Sequence, residues 1–324
     1  MTPERGRPVG LAVVIVTFNS QDDIAACLGS VVAQLPPDGA VVVFDNCSTD
    51  GTAAVVERDF PQVVLVRSDA NLGFARACNR AAAQVDSEYL LFLNPDAVIA
   101  PGCVDALLDL ARRRRDGGLY GGRALDAQGE FDPKSCWGRP TLWSLLCFAT
   151  GLSSAFPASE RLNPEGIGGW RRDTEREVDV ISGCLLLARR DVWTRLGGFD
   201  ERFFMYGEDV DLAVRAHRLG CRPAITPRAV VQHEVGASSS DALDKHVMLY
   251  RGKASLVRKL WTGPAERLAV GLLVAGVGLR ALSGRWAARV LPGQGGRGRT
   301  ESGTWAQLWK RRGEWRQGWA GTGG

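Results

Sequence analysis

Tyr89-Leu-Leu-Phe-Leu93 is a run of five large apolar or aromatic residues that stops at Asn94-Pro95-Asp96. A run this short, apolar at every position and closed by turn residues, predicts a strand covered on both faces, as in the parallel sheets of α/β proteins. Ligands of open α/β sheets sit beyond the carboxyl ends of the strands, so Asp96 is delivered to a site at the sheet edge. A carboxylate there, beside a proline that stiffens the turn, suits a hard cation such as Mg²⁺ or Mn²⁺ carrying a diphosphate. The competing reading is a plain turn, because Asn, Pro and Asp dominate turns for local reasons.

The stretches before and after this run read as a succession of strands and helices. Leu11–Val16 is a buried strand, 22–34 a helix, 41–44 a second strand, 53–58 a second helix and 63–66 a third strand. This βαβαβ order predicts a parallel sheet with right-handed crossovers. The loop after the first strand, Thr17-Phe-Asn-Ser20, lacks the Gly-x-Gly-x-x-Gly of a dinucleotide-binding turn. Nor is it the Gly-rich, Lys/Arg-bearing phosphate loop of a nucleotidyltransferase.

Asp45 ends the second strand and opens Asp45-Asn-Cys-Ser-Thr-Asp-Gly-Thr52. An Asp fixed at a strand end is a good acceptor for the imide N–H of uracil or thymine. Ser48, Thr49 and Asp50 read equally well as helix caps. Asn71 and Gly73 form a turn before a helix over 74–85, a helix N-terminus that suits phosphate and also serves as an ordinary helix start. Arg76 either meets that phosphate or lies on a solvated helix face.

From 124 to 177 the pattern loosens, and an irregular insertion of this length in an α/β domain is usually a lid or a binding segment. A partner-docking surface is the alternative. Val178–Ala188 then reads as one strand in which Gly183 lets a ligand approach. Arg190–Leu196 is a short helix, and Glu208, Asp209 and Asp211 crowd the first turn of a further helix, where the dipole favours acids. Two short strands, 221–225 and 229–232, follow, and the second delivers His233.

Charge separates the two ends of the chain. Residues 251–324 hold fourteen Lys and Arg against three acids, about +11, so the first 250 residues carry about −7 of the overall +4. The eight cysteines show no Cys-x-x-Cys pair and no metal-ligand spacing, which predicts reduced thiols and a cytoplasmic setting. Residues 1–10 read as a disordered leader.

Eight motifs in this order resemble the inverting family 2 glycosyltransferases with the GT-A fold, in the branch of rhamnosyltransferases and galactofuranosyltransferases. They are Val16-Thr-Phe-Asn-Ser20, Asp45–Thr52, Asn71-Leu-Gly-Phe-Ala75, Asn94-Pro-Asp-Ala97, Ser182-Gly-Cys-Leu-Leu186, Gly198-Phe-Asp-Glu201, Gly207-Glu-Asp-Val-Asp211 and His233. The resemblance implies an α/β domain over 11–250 with a mostly parallel sheet flanked by helices, its nucleotide-sugar half at 11–123 and its acceptor half at 124–250. It implies that Thr17, Asn19, Asp45, Asn71, Gly73 and Asn94 bind the nucleotide sugar, and that Asp96 and His233 hold a divalent metal. Asp209 is then the catalytic base, with Glu208 and Gly183 placing the acceptor. Asn94 stands where the family's Asp-x-Asp signature has its first Asp, which leaves less charge for the metal and more need of His233.

The activity so implied is inverting transfer of a sugar, L-rhamnose from dTDP-rhamnose first among the choices, to a hydroxyl of a lipid-linked or growing cell-envelope glycan. A UDP-galactofuranose or other UDP-sugar transferase, and a catalytically silent nucleotide-sugar-binding or scaffolding member, are the alternatives. Residues 251–324 lie outside the catalytic resemblance. Leu268–Leu279 is too short to span a bilayer, and with Arg267, Arg280, Arg285, Arg289 and the tail tryptophans it predicts a helical extension on the inner face of the cytoplasmic membrane. A packed helix hairpin is the competing reading, and nucleic acid is disfavoured because no recognition motif appears.

Overall fold

The structure, a computed structural model, describes residues 9–233, 242–290 and 297–319. The expected leader therefore lies outside the described residues, apart from Val9 and Gly10, which begin the first strand. The elements follow in chain order as β1 (Val9–Thr17), α1 (Ile24–Val32), β2 (Ala40–Asp45), α2 (Thr52–Asp59), β3 (Val64–Arg67), α3 (Phe74–Ala82), β4 (Ser87–Leu93), β5 (Ala97–Ile99), α4 (Cys103–Arg113), β6 (Leu119–Leu125), β7 (Phe131–Asp132) and β8 (Cys136–Trp137). Helices α5 (Leu142–Thr150) and α6 (Leu152–Ala155) come next, then β9 (Arg176–Glu177), β10 (Val180–Ile181), β11 (Leu185–Arg189), α7 (Arg190–Leu196), α8 (Glu208–Arg218) and β12 (Ala224–His233). The chain ends in α9 (Ala242–Leu260), α10 (Gly263–Val290), α11 (Arg297–Lys310) and α12 (Arg312–Trp315).

The chain divides into two compact units. The first holds Met1–Trp137, Arg171–Phe204 and Glu208–Ser240, and the second Gly138–Trp170, Met205–Gly207 and Asp241–Gly324. The domain boundary expected after residue 250 falls inside α9, and residues 138–170 cluster with the C-terminal helices.

In the first unit the main sheet runs β3-β2-β1-β4-β11-β6-β12-β5. β3, β2, β1 and β4 pair in parallel, and β11 is antiparallel to both β4 and β6. β6 and β12 are parallel to each other, and β5 runs against β12. Six of the eight strands on this path therefore point one way, and their carboxyl ends form a single edge. The parallel half is the βαβαβ stretch that the apolar runs predict. Its strands β1, β2 and β4 are buried, with Leu11, Val13, Ile15, Val43, Leu91 and Leu93 at 3% exposure or less, while the edge strand β3 is partly exposed.

Two expectations are corrected here. The single strand predicted over 178–188 is two: β10 pairs with β8, while β11 pairs with β4 and β6, and Ser182-Gly183-Cys184 is the break between them. Gly183 is thus a joint between two ladders, with no place in the middle of one. The two strands predicted at 221–225 and 229–232 are one, β12, whose register shifts between Ile225 and Val230. Such a shift hides the continuity of a strand from its sequence pattern.

The second unit is helical. Ala269, Leu273, Val277 and Ala281, spaced by four, form the buried stripe of α10, and the first three pack with Leu145, Tyr250, Leu308 and Trp315. Tyr250 stacks obliquely on Trp315, with ring centroids 5.4 Å apart, and the Trp315 indole N–H donates to the Leu308 carbonyl at 3.0 Å. The tail tryptophans expected at a membrane surface are therefore corrected for Trp315, which is fully buried. Arg280 is likewise turned inward, over the Phe148 ring at 4.0 Å. Among the described residues no helix is long and apolar enough to cross a membrane.

Candidate functional site

The carboxyl ends of β1 and β2 lie side by side, with Thr17 in register with Asp45. The Thr17 hydroxyl donates to Asp45 Oδ1 at 3.0 Å, and both residues are buried. One carboxylate oxygen of Asp45 is thus committed to Thr17. Beyond them the loops are sewn together. The Asn19 amide N–H donates to Ser48 Oγ at 3.0 Å, and the Thr49 amide donates to Asn19 Oδ1 at 2.8 Å. Asn19 makes this contact from left-handed backbone, φ 51, a conformation Asn tolerates better than most residues.

Asn46, a residue that the sequence reading passed over, organises the next loop. Its Nδ2 donates to Asn71 Oδ1 at 2.9 Å, and its Oδ1 accepts the Leu72 amide at 2.8 Å. Asn71 Oδ1 also accepts the Gly73 amide at 3.0 Å. Gly73 has φ +78, and a Cβ there would stand 2.4 Å from the Phe204 carbonyl oxygen, so only glycine fits. The side-chain oxygens of Asn19 and Asn71 are therefore engaged in shaping loops. Arg76 pairs with Glu201 at 3.0 Å, and Asn79 grips Phe199 through both its amide groups at 2.9 Å. These contacts fix the Gly198-Phe-Asp-Glu201 turn against α3.

At the end of β4, the Asn94 amide donates to the Cys184 carbonyl at 3.2 Å. Asp96 and His233 meet because β5 and β12 pair with Ala97 opposite His233. His233 Nε2 lies 3.1 Å from Asp96 Oδ1 and 3.2 Å from Asn94 Nδ2. A single ring nitrogen cannot accept a proton from Asn94 while donating one to Asp96. An ion between Nε2 and Oδ1 would use a lone pair of each, and adjacent ligands of an octahedral ion, with bonds of about 2.1 Å, are roughly 3.0 Å apart. Among the described residues no group of three or more His, Cys, Asp or Glu is arranged to hold a metal. Asp96 and His233 are thus a two-donor set, which fits a divalent ion that takes its remaining ligands from a diphosphate and water.

Asp209 approaches the same edge from α8. Its Oδ1 accepts its neighbour Val210's amide at 2.8 Å, and its Oδ2 accepts the Gly183 amide at 3.4 Å. Burial pushes the Asp209 carboxyl up to about 6, against those backbone N–H groups, which favour the ionised form. Glu208 beside it is buried, and its Oε2 has no hydrogen-bond partner among the described residues. Burial first, and then the charge of Asp209, push Glu208 well above the usual carboxylate range. Cys184 sits between the two ends of the site: burial, with the nearby charges of Asp96 and Asp209 adding to it, pushes its thiol up to about 12. Asp211 plays another part. It pairs with Arg215 at 2.7 Å, and Arg215 in turn holds the Leu196 and Gly198 carbonyls.

All eleven candidate residues belong to the first unit. Thr17 and Asp45 are joined directly, as are Asp96, Asn94 and His233, and Gly183 and Asp209. The arrangement can seat a base at Asp45, hold an anion-bearing cation at Asp96 and His233, and present a poised carboxylate at Asp209.

Comparison with known proteins agrees in family and fold. Residues 12–195 match the family model described as Glycosyl transferase family 2. The N-acetylglucosaminyl-diphospho-decaprenol L-rhamnosyltransferase of Mycobacterium tuberculosis (strain ATCC 25618 / H37Rv) is 34% identical over 248 residues, covering 71% of this chain and 77% of that protein. The O-antigen biosynthesis protein RfbC of Myxococcus xanthus is 31% identical over 247 residues, covering 74% of this chain and 18% of that protein. Among solved structures, the mannosyltransferase PcManGT from Pyrobaculum calidifontis, in complex with GDP-Man and Mn²⁺, shares the fold with a TM-score of 0.56 at 20% identity, covering 93% of this chain and 85% of that one. With the family's profile spanning more than half of its length and its strand ends carrying the expected side chains, the chain belongs to glycosyl transferase family 2 and has the GT-A fold.

Proposed function

We propose that this glycosyltransferase moves L-rhamnose from dTDP-rhamnose to a hydroxyl of a lipid-linked sugar, with inversion at the anomeric carbon. The observation that carries the mechanism is the Asp209 carboxylate, turned toward Gly183 and poised by burial at about 6. A group with that affinity for a proton is ionised at neutral pH and basic enough to take one from an attacking hydroxyl. Glu208, whose carboxyl burial and the charge of Asp209 push well above the usual carboxylate range, places the acceptor. Thr17 fixes one oxygen of Asp45, and the other accepts the imide N–H of thymine or uracil. The loops pinned by Asn19, Asn46 and Asn71, with Gly73 and Asn94, line the path of the nucleotide sugar. Asp96 and His233 would hold a divalent metal, Mg²⁺ or Mn²⁺, and its charge would make the nucleoside diphosphate a tolerable leaving group.

The choice of rhamnose and of a lipid-linked acceptor is supported by the mycobacterial relative, an N-acetylglucosaminyl-diphospho-decaprenol L-rhamnosyltransferase. A thermal-shift screen of nucleotide sugars with and without Mn²⁺ tests the donor, since a ligand of the folded state raises the melting temperature. Stabilisation by dTDP-rhamnose only when Mn²⁺ is present supports the reading; stabilisation by UDP-galactofuranose alone replaces the donor.

The enzyme acts as a peripheral protein on the cytoplasmic face of the membrane. Trp143, Leu146, Phe156, Leu268, Leu279 and Leu282 of the second unit are exposed large apolar side chains. Arg267 and Arg316 border a groove of about 470 Å³ floored by Val270 and Val274. Exposed apolar rings and chains beside arginines favour an anionic lipid surface. Sedimentation of the full chain with vesicles of anionic but not zwitterionic phospholipid is the expected result.

A further inference from the structure

Phe204 to Gly207 lead into the helix that bears Asp209, and three successive carbonyls of this stretch each meet a different partner. The Phe204 carbonyl accepts the Phe74 amide at 2.7 Å. The Met205 carbonyl accepts the indole N–H of Trp319 at 3.2 Å. Against the Tyr206 carbonyl stands Gly252 of α9, where a Cβ would lie 2.1 Å from the oxygen, so no larger residue fits. Tyr206 itself is in left-handed backbone, φ 67, Gly207 follows at φ 97, and Glu208 opens α8. Left-handed backbone is unfavourable for a bulky aromatic residue and persists only where its surroundings over-determine it.

The partner of Met205 is itself fixed. The Trp319 amide donates to Ser255 Oγ at 2.6 Å, Ser255 Oγ donates to the Arg251 carbonyl at 3.0 Å, and the Arg251 guanidinium lies 4.8 Å from the centroid of the Trp319 ring. Arg251 Nε donates in turn to the Glu314 carbonyl at 2.8 Å. Met205–Gly207, α9 and Trp319 all belong to the second unit, and the next residue, Glu208, belongs to the first. The hold on the turn is thus built within the second unit, and a single peptide bond hands its direction to the start of α8. Asp209 is one residue further on, and its 3.4 Å bond to the Gly183 amide is already longer than the usual span of about 2.7–3.2 Å. A displacement of a few tenths of an ångström breaks it.

We propose that Trp319 is a positioning residue for the reaction. Its indole N–H, with Gly252 leaving room for the Tyr206 carbonyl, holds Met205–Gly207 in the left-handed turn that sets where α8 begins and keeps Asp209 on Gly183. The inference rests on Asp209 as the base proposed above. Without the indole donor the turn relaxes toward ordinary backbone, and the carboxylate loses its aim while the substrates still bind.

The test uses the full chain with dTDP-rhamnose, Mn²⁺ and N-acetylglucosaminyl diphosphate carrying a short prenyl chain. Trp319→Phe keeps a ring beside Arg251 and the amide on Ser255 but removes the donor to Met205. Trp315→Phe is the control, since it removes an indole–carbonyl bond of the same kind, to Leu308, within the same unit. Trp319→Phe is expected to lower kcat about tenfold with the KM of donor and acceptor within about twofold. Trp315→Phe is expected to lower the melting temperature and leave kcat within about twofold. An unchanged kcat in Trp319→Phe, a rise in its KM alone, or an equal fall of kcat in both variants overturns the proposal. If wild type does not turn over this pair, or Asp209→Asn is as active as wild type, it is the functional reading that has failed. Hydrogen exchange at residues 205–210 then decides: faster exchange in Trp319→Phe than in both wild type and Trp315→Phe supports the hold on the turn, and any other pattern overturns it.

Discussion

The Gly183 amide donates to the Asp209 carboxylate at 3.4 Å, while the carbonyl of the very next residue, Cys184, receives the amide of Asn94 at 3.2 Å. The side chain of Asp209 and the backbone of Asn94, from distant parts of the chain, are thus held by consecutive residues of one segment.

For Asp209 this has a kinetic consequence. As the proposed base, Asp209 works only when ionised, so kcat/KM is expected to climb as pH rises through about 6 and to level off above it. Asp209→Asn should slow transfer by a factor on the order of 10²–10⁴ while leaving donor binding intact. A profile flat from mildly acid to neutral pH places the base elsewhere.

Glu208 should reveal itself in stability. Its folded-state affinity for a proton is raised, so the native form keeps a proton that the unfolded chain gives up, and stability falls as pH rises above the ordinary carboxylate range. Glu208→Gln removes the penalty. At pH 8 we expect a gain on the order of 1 kcal/mol, roughly 2–4 °C in melting temperature, shrinking toward pH 4. Melting curves at the two pH values check the sign.

Asp96→Asn and His233→Ala should each weaken Mn²⁺-dependent donor binding by about tenfold or more. Donor binding measured in a chelator should be unchanged by either. Titration calorimetry with and without the ion separates these cases.

Asn46→Ala strips the acceptor from the Leu72 amide and the donor from Asn71. A lost pair of this kind costs about 1–3 kcal/mol, and the loosened loop should raise donor KM more than it lowers kcat. An unchanged melting temperature would show that Leu72 finds another partner.

Much of this was legible in the residues. The apolar runs 11–16, 41–44 and 89–93 can only be strands covered on both faces, and their ends deliver Thr17, Asp45 and Asn94. Asp96 and His233 were named as partners, and their contact depends on the short strand β5, which three residues are too few to announce. Asn46 escaped because it stands between Asp45 and Ser48, whose chemistry is louder; its work is geometric. The helix Leu142–Thr150 escaped because Trp143 and Leu146 are exposed, so its apolar residues do not trace one face. The break at Gly183 was invisible because apolar residues continue on both sides of it.

β11 runs opposite to both of its neighbours, and its five residues do more than fill a gap in the sheet. Sliding it by one position would turn Leu185, Leu186 and Leu187 to the wrong faces and, in the same stroke, pull the anchorages of Asn94 and Asp209 out of line. The strand acts as a ruler between Asn94 and Asp209, so a substitution that shifts it disturbs the folding of the sheet and the spacing of these two residues together.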